Sequence, residues 1–583
     1  MTSSPLDFFY LEKEPTSSNI AELSICIESL NSANWDGTVH QLLVQITRLL
    51  GVRAEALFTL KDPKLTSPRI LKQLLKENGG SIDAVADEVL TGLTVREALH
   101  GKYTPIVVLG MPLLPTIQSI KRQREESEQS EEWRPLKRIT QFAPSSLSKP
   151  SEYKKVVGSS GTIACNRPLT YDKIPIDLLD KTFGVFKDRC AVLPSAKAVD
   201  FAARLADLAT QWFLTEAPRR KDITELFGEF DIRLSTDTIN GAITDGNRPP
   251  NVMPAAIREC KNEEGLAKAQ VTLYYGQYLL PAVKSHCKRD TRFPSILITD
   301  IGMSAFFVHP AIVFILYLGP TFGFYGAIWN GQVVQVEPLT PIFDLTADPL
   351  DERARHAFAS SLDALIEGVA SIEKHYRKIK SSTETNSSLD YRARRSYPYM
   401  DSFEIDGAEA VVAFTSRLYE DKLIFTAQRC GIDYIVKFTR HYSEEAHQYL
   451  ASLSFAPKLF QCKALPGGWI AVLMERSDYT RVDELTNDQR QLVKGKVSEI
   501  VEILHGQDLV HGDIRAANLL VDEKSLRPGG DVKVHFLDFD WAGRVGDAKY
   551  PFRVNTSTMT RPSEVKGGGI ITKAHDVEMV SYL

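Results

Sequence analysis

Cysteine is scarce in this 583-residue chain: the seven present (Cys26, Cys165, Cys190, Cys260, Cys287, Cys430, Cys462) are scattered, odd in number and never in C-x-x-C spacing. That pattern excludes a disulfide framework and a thiolate zinc site, and it fits a reducing compartment. An excess of positive charge is missing as well. With 69 Lys and Arg against 74 Asp and Glu the formal net charge is -5, so there is no general basic coat for nucleic acid and any such site must be local. The opening MTSSPLDFFYLEKEP has neither a basic start nor a long apolar core, so no conventional signal peptide is visible. The one long apolar stretch, Ser304 to Trp329, is broken by Pro310, Pro320 and several glycines into short aromatic and β-branched runs. Those runs read as buried strands, not as a membrane span.

What is present suffices for several cores. At this length one hydrophobic core does not serve the chain, and 43% hydrophobic with 25% charged residues is ordinary for globular protein. Residues 1–118 carry apolar residues at helical spacing in Val39 to Leu50, Ile70 to Leu75 and Ile82 to Leu99, which predicts a mostly helical domain without visible chemistry. Residues 119–152 turn polar and charge-dense and read as a disordered linker. Within it Lys121, Arg122 and Arg124, then Arg134, Lys137 and Arg138, bracket an acidic run in the manner of a bipartite nuclear-import signal. The expected location is intracellular: cytoplasm, with entry to the nucleus through these clusters.

Residues 153–385 begin with helical stretches such as Val199 to Leu214 and then change period. DIRLSTDTINGAI, a turn at Asp245 to Pro250 and MPAAIRECKNEEG read as a pair of strands. Period two puts Glu259 and Lys261 on one face and Cys260 on the other. A carboxylate from the preceding strand, Asp237 or Asp245, would complete a magnesium site, with Lys261 placed to orient an attacking water. The E-x-K run, the upstream acids and the Q-x-x-x-Y from Gln270 to Tyr274 resemble the PD-(D/E)XK nucleases, in particular their RecB-like branch. The resemblance implies a restriction-endonuclease-like domain acting on DNA or RNA through Glu259, Lys261, Asp237, Asp245 and Gln270, with Glu259 and Asp237 holding the metal. Glu225 and Glu229, on the preceding helix, read as surface charge.

A polar stretch at Asn386 to Pro398 marks the next boundary, and 398–583 is organised around Val510 to Gly543. There VHGDIRAANLLV precedes VKVHFLDFDWAG. Asp513 and Asn518 lie five apart on one loop, near enough for one to take a hydroxyl proton while the other holds a metal, and Asp538 follows the strand-like VHFL. The order H-x-D-x-x-x-x-N, then D-F-x, resembles the catalytic and metal-binding loops of the protein kinase-like superfamily. It implies a two-lobed domain using ATP and Mg2+, with Asp513 as base or hydroxyl-orienting group and Asn518 and Asp538 as metal ligands. Lys437 in DYIVKF is the implied phosphate contact and Glu445 in YSEEAHQYLA its partner, with Glu444 alongside. AVLME (Ala471 to Glu475) resembles the strand into the hinge, RPSE (Arg561 to Glu564) the segment closing the loop, and Asp576 the buried acid of the next helix.

The departures are specific. Gly512 replaces the arginine usual in protein kinases, as in aminoglycoside and choline phosphotransferases; Asp540 replaces a glycine; and DGAEAVVAF (Asp406 to Phe414) has one glycine where a G-x-G-x-x-G would lie. The chain ends at Leu583, a few residues past Asp576, so the second lobe reads as short or truncated. Together the two regions resemble the Crinkler-type effectors and their fungal relatives over roughly residues 200–583. The fold class expected is multidomain α/β and α+β, a restriction-endonuclease-like domain followed by a kinase-like one. The function implied is transfer of phosphate from ATP to a protein hydroxyl, fused to a magnesium-dependent nuclease-like domain. A small-molecule phosphotransferase and a decayed binding scaffold are the alternatives, and no membrane partner is expected.

Overall fold

A computed structural model describes residues 3–13, 23–34, 54–60, 86–88, 106–109, 134–142, 163–165, 173–213, 215–236, 238–239, 242–243, 252–261, 267–286, 289–302, 304–307, 315–346, 351–381, 394–527 and 529–583. The chain divides into two compact units, Met1–Gln129 and Ser130–Leu583. In the first, strands β1 (Ser3–Lys13), β2 (Leu23–Asn34), β3 (Ala54–Leu60), β4 (Ala86–Glu88) and β5 (Ile106–Leu109) form one sheet. The order is β2-β1-β5-β3-β4, with β1 and β5 parallel and the other neighbours antiparallel. This corrects the mostly helical expectation for the described part. Alternation such as Leu23, Ile25, Ile27 has the two-residue period of a strand, and Ala86–Glu88 is extended inside the stretch read as helical. Val39 to Leu50 and Ile70 to Leu75 lie outside the described residues.

The second unit opens with helix α1 (Arg134–Ile139), in the stretch expected to be a disordered linker. Leu136 and Ile139 are fully buried, and the Gln277 amide donates to the carbonyls of Thr140 and Phe142. The second basic cluster therefore sits on a docked helix. Two apolar side chains three apart on six residues are too weak a period to stand out in a charged sequence.

A six-stranded sheet follows. Its main path is β6 (Ile163–Cys165), β10 (Val334–Pro338), β9 (Thr321–Trp329), β8 (Ser295–Ile301) and β7 (Ala256–Lys261), with Phe343–Asp344 added to β9. Edge strand β7 is parallel to β8, Glu259 opposite Thr299 and Cys260 opposite Asp300, and helix α5 (Ala267–His286) makes the crossover between them. Helices α2 (Lys181–Cys190), α3 (Ala196–Ala209) and α6 (Glu352–Ser381) pack together, and α4 (Glu216–Glu229) lies against β7. Within Ser304 to Trp329, Ser304–Phe307, Ile315–Leu318 and Thr321–Trp329 are strands, and among the described residues no helix is long and apolar enough to cross a membrane. The strand pair expected before β7 differs: among the described residues β7 pairs with β8 alone, and Thr238–Ile239 with Ala242–Ile243 make a separate two-residue hairpin.

The last part has two lobes. The first is an antiparallel sheet in the order β11 (Ala413–Arg417), β12 (Ile424–Arg429), β13 (Ile432–Thr439), β15 (Trp469–Glu475) and β14 (Leu459–Leu465), with helix α7 (Glu444–Ser452) between β13 and β14 in the chain. The second carries α8 (Asn487–His505), the antiparallel strands β16 (Leu519–Val521) and β17 (Val534–Phe536), and α9 (Lys573–Ser581). The cores are divided differently from the sequence boundaries. One buried cluster runs from Leu136 through the central sheet into Phe425, Trp469 and Leu473 of the first lobe, while a second gathers Leu450, Val497, Ile500, Phe536 and Phe539.

Polar contacts seal the first of these cores across the stretch expected to be a boundary. The Arg292 guanidinium donates to the carbonyls of Arg394, Arg395 and Tyr397, and Arg395 returns bonds to Thr291 and Arg289. Gly467 N donates to the Asp188 carboxylate. A methyl group added at Gly184 would stand 2.7 Å from the Pro466 carbonyl, so helix α2 needs glycine to approach the β14–β15 turn.

Candidate active site

The cleft between the lobes is built from four stretches. Lys437 stands on β13, its strand paired on both sides by β12 and β15, which fixes its height and direction. Asp538 follows β17 with φ 67, a left-handed conformation that costs a non-glycine residue about 1–3 kcal/mol and persists only where surroundings impose it. Lys437 faces its side chain. Its Nζ lies 2.5 Å from Asp538 Oδ1 and 2.6 Å from Asp540 Oδ1, while Thr439, two residues along β13, donates to Asp540 Oδ2 at 3.1 Å.

The charges divide unequally. Burial alone would raise Asp538, but the Lys437 ammonium overrides it and holds that carboxyl at about 2. Asp540 is pushed up to about 6, first by burial and then by its neighbour Asp538, with Lys437 opposing both. Burial would lower Lys437, yet two carboxylates raise it above its ordinary value.

Opposite lies the loop from Val510 to Leu519. Asp576, fully buried at the start of α9, accepts the backbone N–H groups of His511 and Gly512, both at 2.8 Å, and His505 Nε2 at 3.2 Å. These bonds set the loop's path, and Gly512 takes φ 80, where a Cβ would stand 2.7 Å from Ile571 Cδ1. No arginine side chain fits there without moving Ile571. His511 donates from Nε2 to the Leu537 carbonyl at 3.1 Å, tying this loop to the one that bears Asp538.

Asp513 is engaged on both oxygens. Oδ2 accepts from Asn518 Nδ2 at 2.8 Å and Arg515 Nε at 3.1 Å, and Oδ1 accepts from Arg561 at 2.7 Å. The Arg561 guanidinium is buried 4.7 Å from the Trp541 ring centre and also holds the Asn555 carbonyl. Asn518, on the single turn Ala516–Asn518, is buried with its amide nitrogen spent on Asp513. A cavity of about 810 Å3 opens on the Lys437 side, lined among others by Lys422, Lys437, Arg440, Tyr442, Asp538 and Asp540.

One assignment is corrected. Glu445 does not reach Lys437: it is exposed and pairs with Arg544. Glu444 and Glu445 occupy the first turn of α7, after the N-cap Ser443 that accepts from Ala446 N, where acids favour the helix dipole and face water. The buried polar side chain of that helix is His447, lying flat on Phe539 with ring centres 4.6 Å apart. Sequence reasoning also passed over Asp540, Arg515 and Arg561 as site residues. The signal for Asp540 was the acid in the third position of D-F-D; for Arg515, a cation two residues after Asp513; for Arg561 there was none, since its partner is 48 residues away.

The donors in this cleft fit a magnesium ion. The Asp538 carboxylate and the Asn518 amide oxygen are hard oxygen ligands of the kind Mg2+ takes, beside cations suited to phosphates.

In the central domain Glu259 is buried, and Lys261 Nζ lies 2.7 Å from its Oε1 and 3.7 Å from Glu216 Oε2. Gln270 is buried on α5. Asp237 and Asp245 lie outside the described residues. Glu225 and Glu229 form exposed ion pairs with Lys221 and Arg204. On the other face of β7, Arg219 holds Asp300 and the Cys260 thiol. Among the described residues no three His, Cys, Asp or Glu side chains gather into a group able to hold a metal ion.

No family model matches this chain, and no curated protein matches it. Solved structures with a partial likeness include the Cydia pomonella granulovirus kinase PK-1, at 16% identity over 30% of this chain and 69% of that one, with a TM-score of 0.24. Another is vaccinia related kinase 3, at 13% identity over 31% of this chain and 65% of that one, with a TM-score of 0.23. In the C-terminal region of this chain one lobe carries a buried lysine on its sheet and the other an Asp–Asn pair on a loop.

Proposed function

We propose that the C-terminal region is a magnesium- and ATP-dependent phosphotransferase acting on a protein hydroxyl. One observation carries this: Lys437 lies against Asp538 and Asp513 against Asn518, drawn from separate stretches of the chain, and a His511–Leu537 bond ties the two loops together. A transferring phosphoryl group carries dispersed negative charge, so such a site needs cations and metal ligands around one end and a hydroxyl-orienting carboxylate at the other.

Magnesium, when bound, neutralises phosphate charge, and Asp538 and Asn518 are the residues to hold it. Lys437 grips the nucleotide's phosphates. Asp513, its Oδ2 held by Asn518 and Arg515, orients the acceptor hydroxyl and takes its proton through Oδ1. Since Arg561 occupies that oxygen, the acceptor must displace it. The test is transfer of labelled γ-phosphate with magnesium by the full chain to protein and to small-molecule hydroxyls. Transfer only to small molecules would make it the aminoglycoside or choline type that Gly512 resembles. Neither nucleotide binding nor transfer would leave a binding scaffold.

A second reading concerns the central sheet, where a buried Glu259 in contact with Lys261 on an edge strand, joined by a crossover helix to a parallel neighbour, supports a nuclease-like site. Magnesium-dependent cleavage of DNA or RNA that is lost in Glu259→Gln is expected. Cleavage at full rate in that variant sinks the reading.

A further inference from the structure

We infer that Asp540 is the residue that positions Lys437 toward a nucleotide's phosphates, a task no side chain of helix α7 performs. This rests on the phosphotransferase reading. A lysine on a four-carbon stem reaches many places, and only a fixed counter-charge selects one. Two carboxylates touch Lys437 Nζ, those of Asp538 and Asp540. Asp538 is the metal ligand of the proposed site, so its charge is shared once magnesium is bound. Asp540 carries no such duty.

Asp540 is also the better held of the two. Its Oδ2 accepts from Thr439, on the same strand as Lys437, so strand β13 supplies both the lysine and the hydroxyl that aims the lysine's partner. Helix α7 has nothing to offer instead. Glu444 and Glu445 are exposed, the latter on Arg544. The buried polar position belongs to His447, whose Nε2 donates to the Pro457 carbonyl at 2.9 Å and whose Nδ1 accepts from Tyr442 at 2.6 Å. That imidazole has no capacity left for an ammonium group. The anchor of the phosphate-gripping lysine thus travels with the metal-binding loop.

The experiment is a double-mutant cycle read by affinity for a fluorescent ATP analogue with magnesium, and by transfer, on the full chain. Asp540→Asn is expected to weaken binding about tenfold or more, the size of one lost charge-assisted hydrogen bond. Lys437→Ala should weaken it at least as much, and the double variant no further, because the two act as one unit. Asp540→Glu, which keeps the charge, should recover part of the affinity, and Glu445→Gln should bind as wild type. Additive losses in the double variant, wild-type binding by Asp540→Asn, no recovery by Asp540→Glu, or an equal loss in Glu445→Gln overturns the inference while the proposed function stands. A wild type that binds no magnesium nucleotide overturns both.

Discussion

Lys437 and Lys261 each stand on a strand against a carboxylate, yet the carboxylates arrive by different routes. Lys261 meets Glu259 two residues away on its own strand and Glu216 at 3.7 Å, and it stays a quarter exposed. Lys437 is closed in by Asp538 and Asp540, about a hundred residues further along, and has a side-chain exposure of 9%. Period two makes the first kind of pair on any strand with acid and lysine in alternation. Only a fold makes the second. Convergence from distant stretches is therefore the stronger sign of a built site, and it is why phosphoryl transfer heads the functional reading while nucleic-acid cleavage comes second.

Breaking the chemistry of the convergent site should have the largest effect. Asp513→Asn is expected to lower turnover about 10²–10⁴-fold, the range for a lost general base, with nucleotide affinity nearly unchanged. Equal losses of binding and turnover would show that this loop only shapes the cleft. The same site has a pH signature behind it. His447 is held down to about 4 from 6.5, chiefly by burial, with the charges of Lys437 and His535 adding to that and the Pro457 carbonyl opposing. Its folded pKa lies below its unfolded one, so the stability it permits is whole above 6.5 and lost as pH falls toward about 4. The separation corresponds to about 3 kcal/mol at most. The wild type should thus lose stability between those pH values relative to His447→Gln, as read by denaturant unfolding of both.

A smaller effect sharpens the comparison directly. Lys437→Met leaves two neighbouring carboxylates without their cation and should cost roughly 2–3 kcal/mol, below a fully buried pair because both acids keep some solvent. Lys261→Met strips the cation from the buried Glu259 carboxylate and should cost roughly 2–3 kcal/mol as well. A cost for either lysine under about 1 kcal/mol by thermal unfolding would show that its carboxylate is held by other groups. Smallest of all, Glu445→Gln removes only an exposed ion pair with Arg544 and should change stability by less than about 1 kcal/mol.

The parts of the cleft that sequence made legible are those whose chemistry is compressed into a few consecutive residues. Asp513 and Asn518 lie within one loop, Asp538 directly after a strand, and Asp576 within a helix start that caps that loop. What escaped was partner choice. Glu445 was the natural candidate for Lys437 by helix position, but it lies in the first turn after the N-cap Ser443, facing water and paired with Arg544. Asp540 won because an acid stands where glycine was anticipated. Helix α1 was hidden for another reason: a short helix between charged residues gains its stability from the surface it docks on, here Gly276 and Gln277 of α5, which no local pattern reveals. The strands of the first unit were misjudged because apolar residues spaced for a helix in neighbouring stretches masked the alternation within β2.

The shared core joining the central sheet to the first lobe has a mechanical meaning. Phe425, Trp469 and Leu473 belong to the same buried body as Leu136 and Ile296, whereas Leu450 of α7 sides with Phe536 and Phe539 across the cleft. The seam between the two bodies therefore passes between Lys437 and the loop of Asp538 and Asp540. Of the two jaws around the cleft, one shares its core with the central domain and the other, helix α7 included, packs around a core of its own.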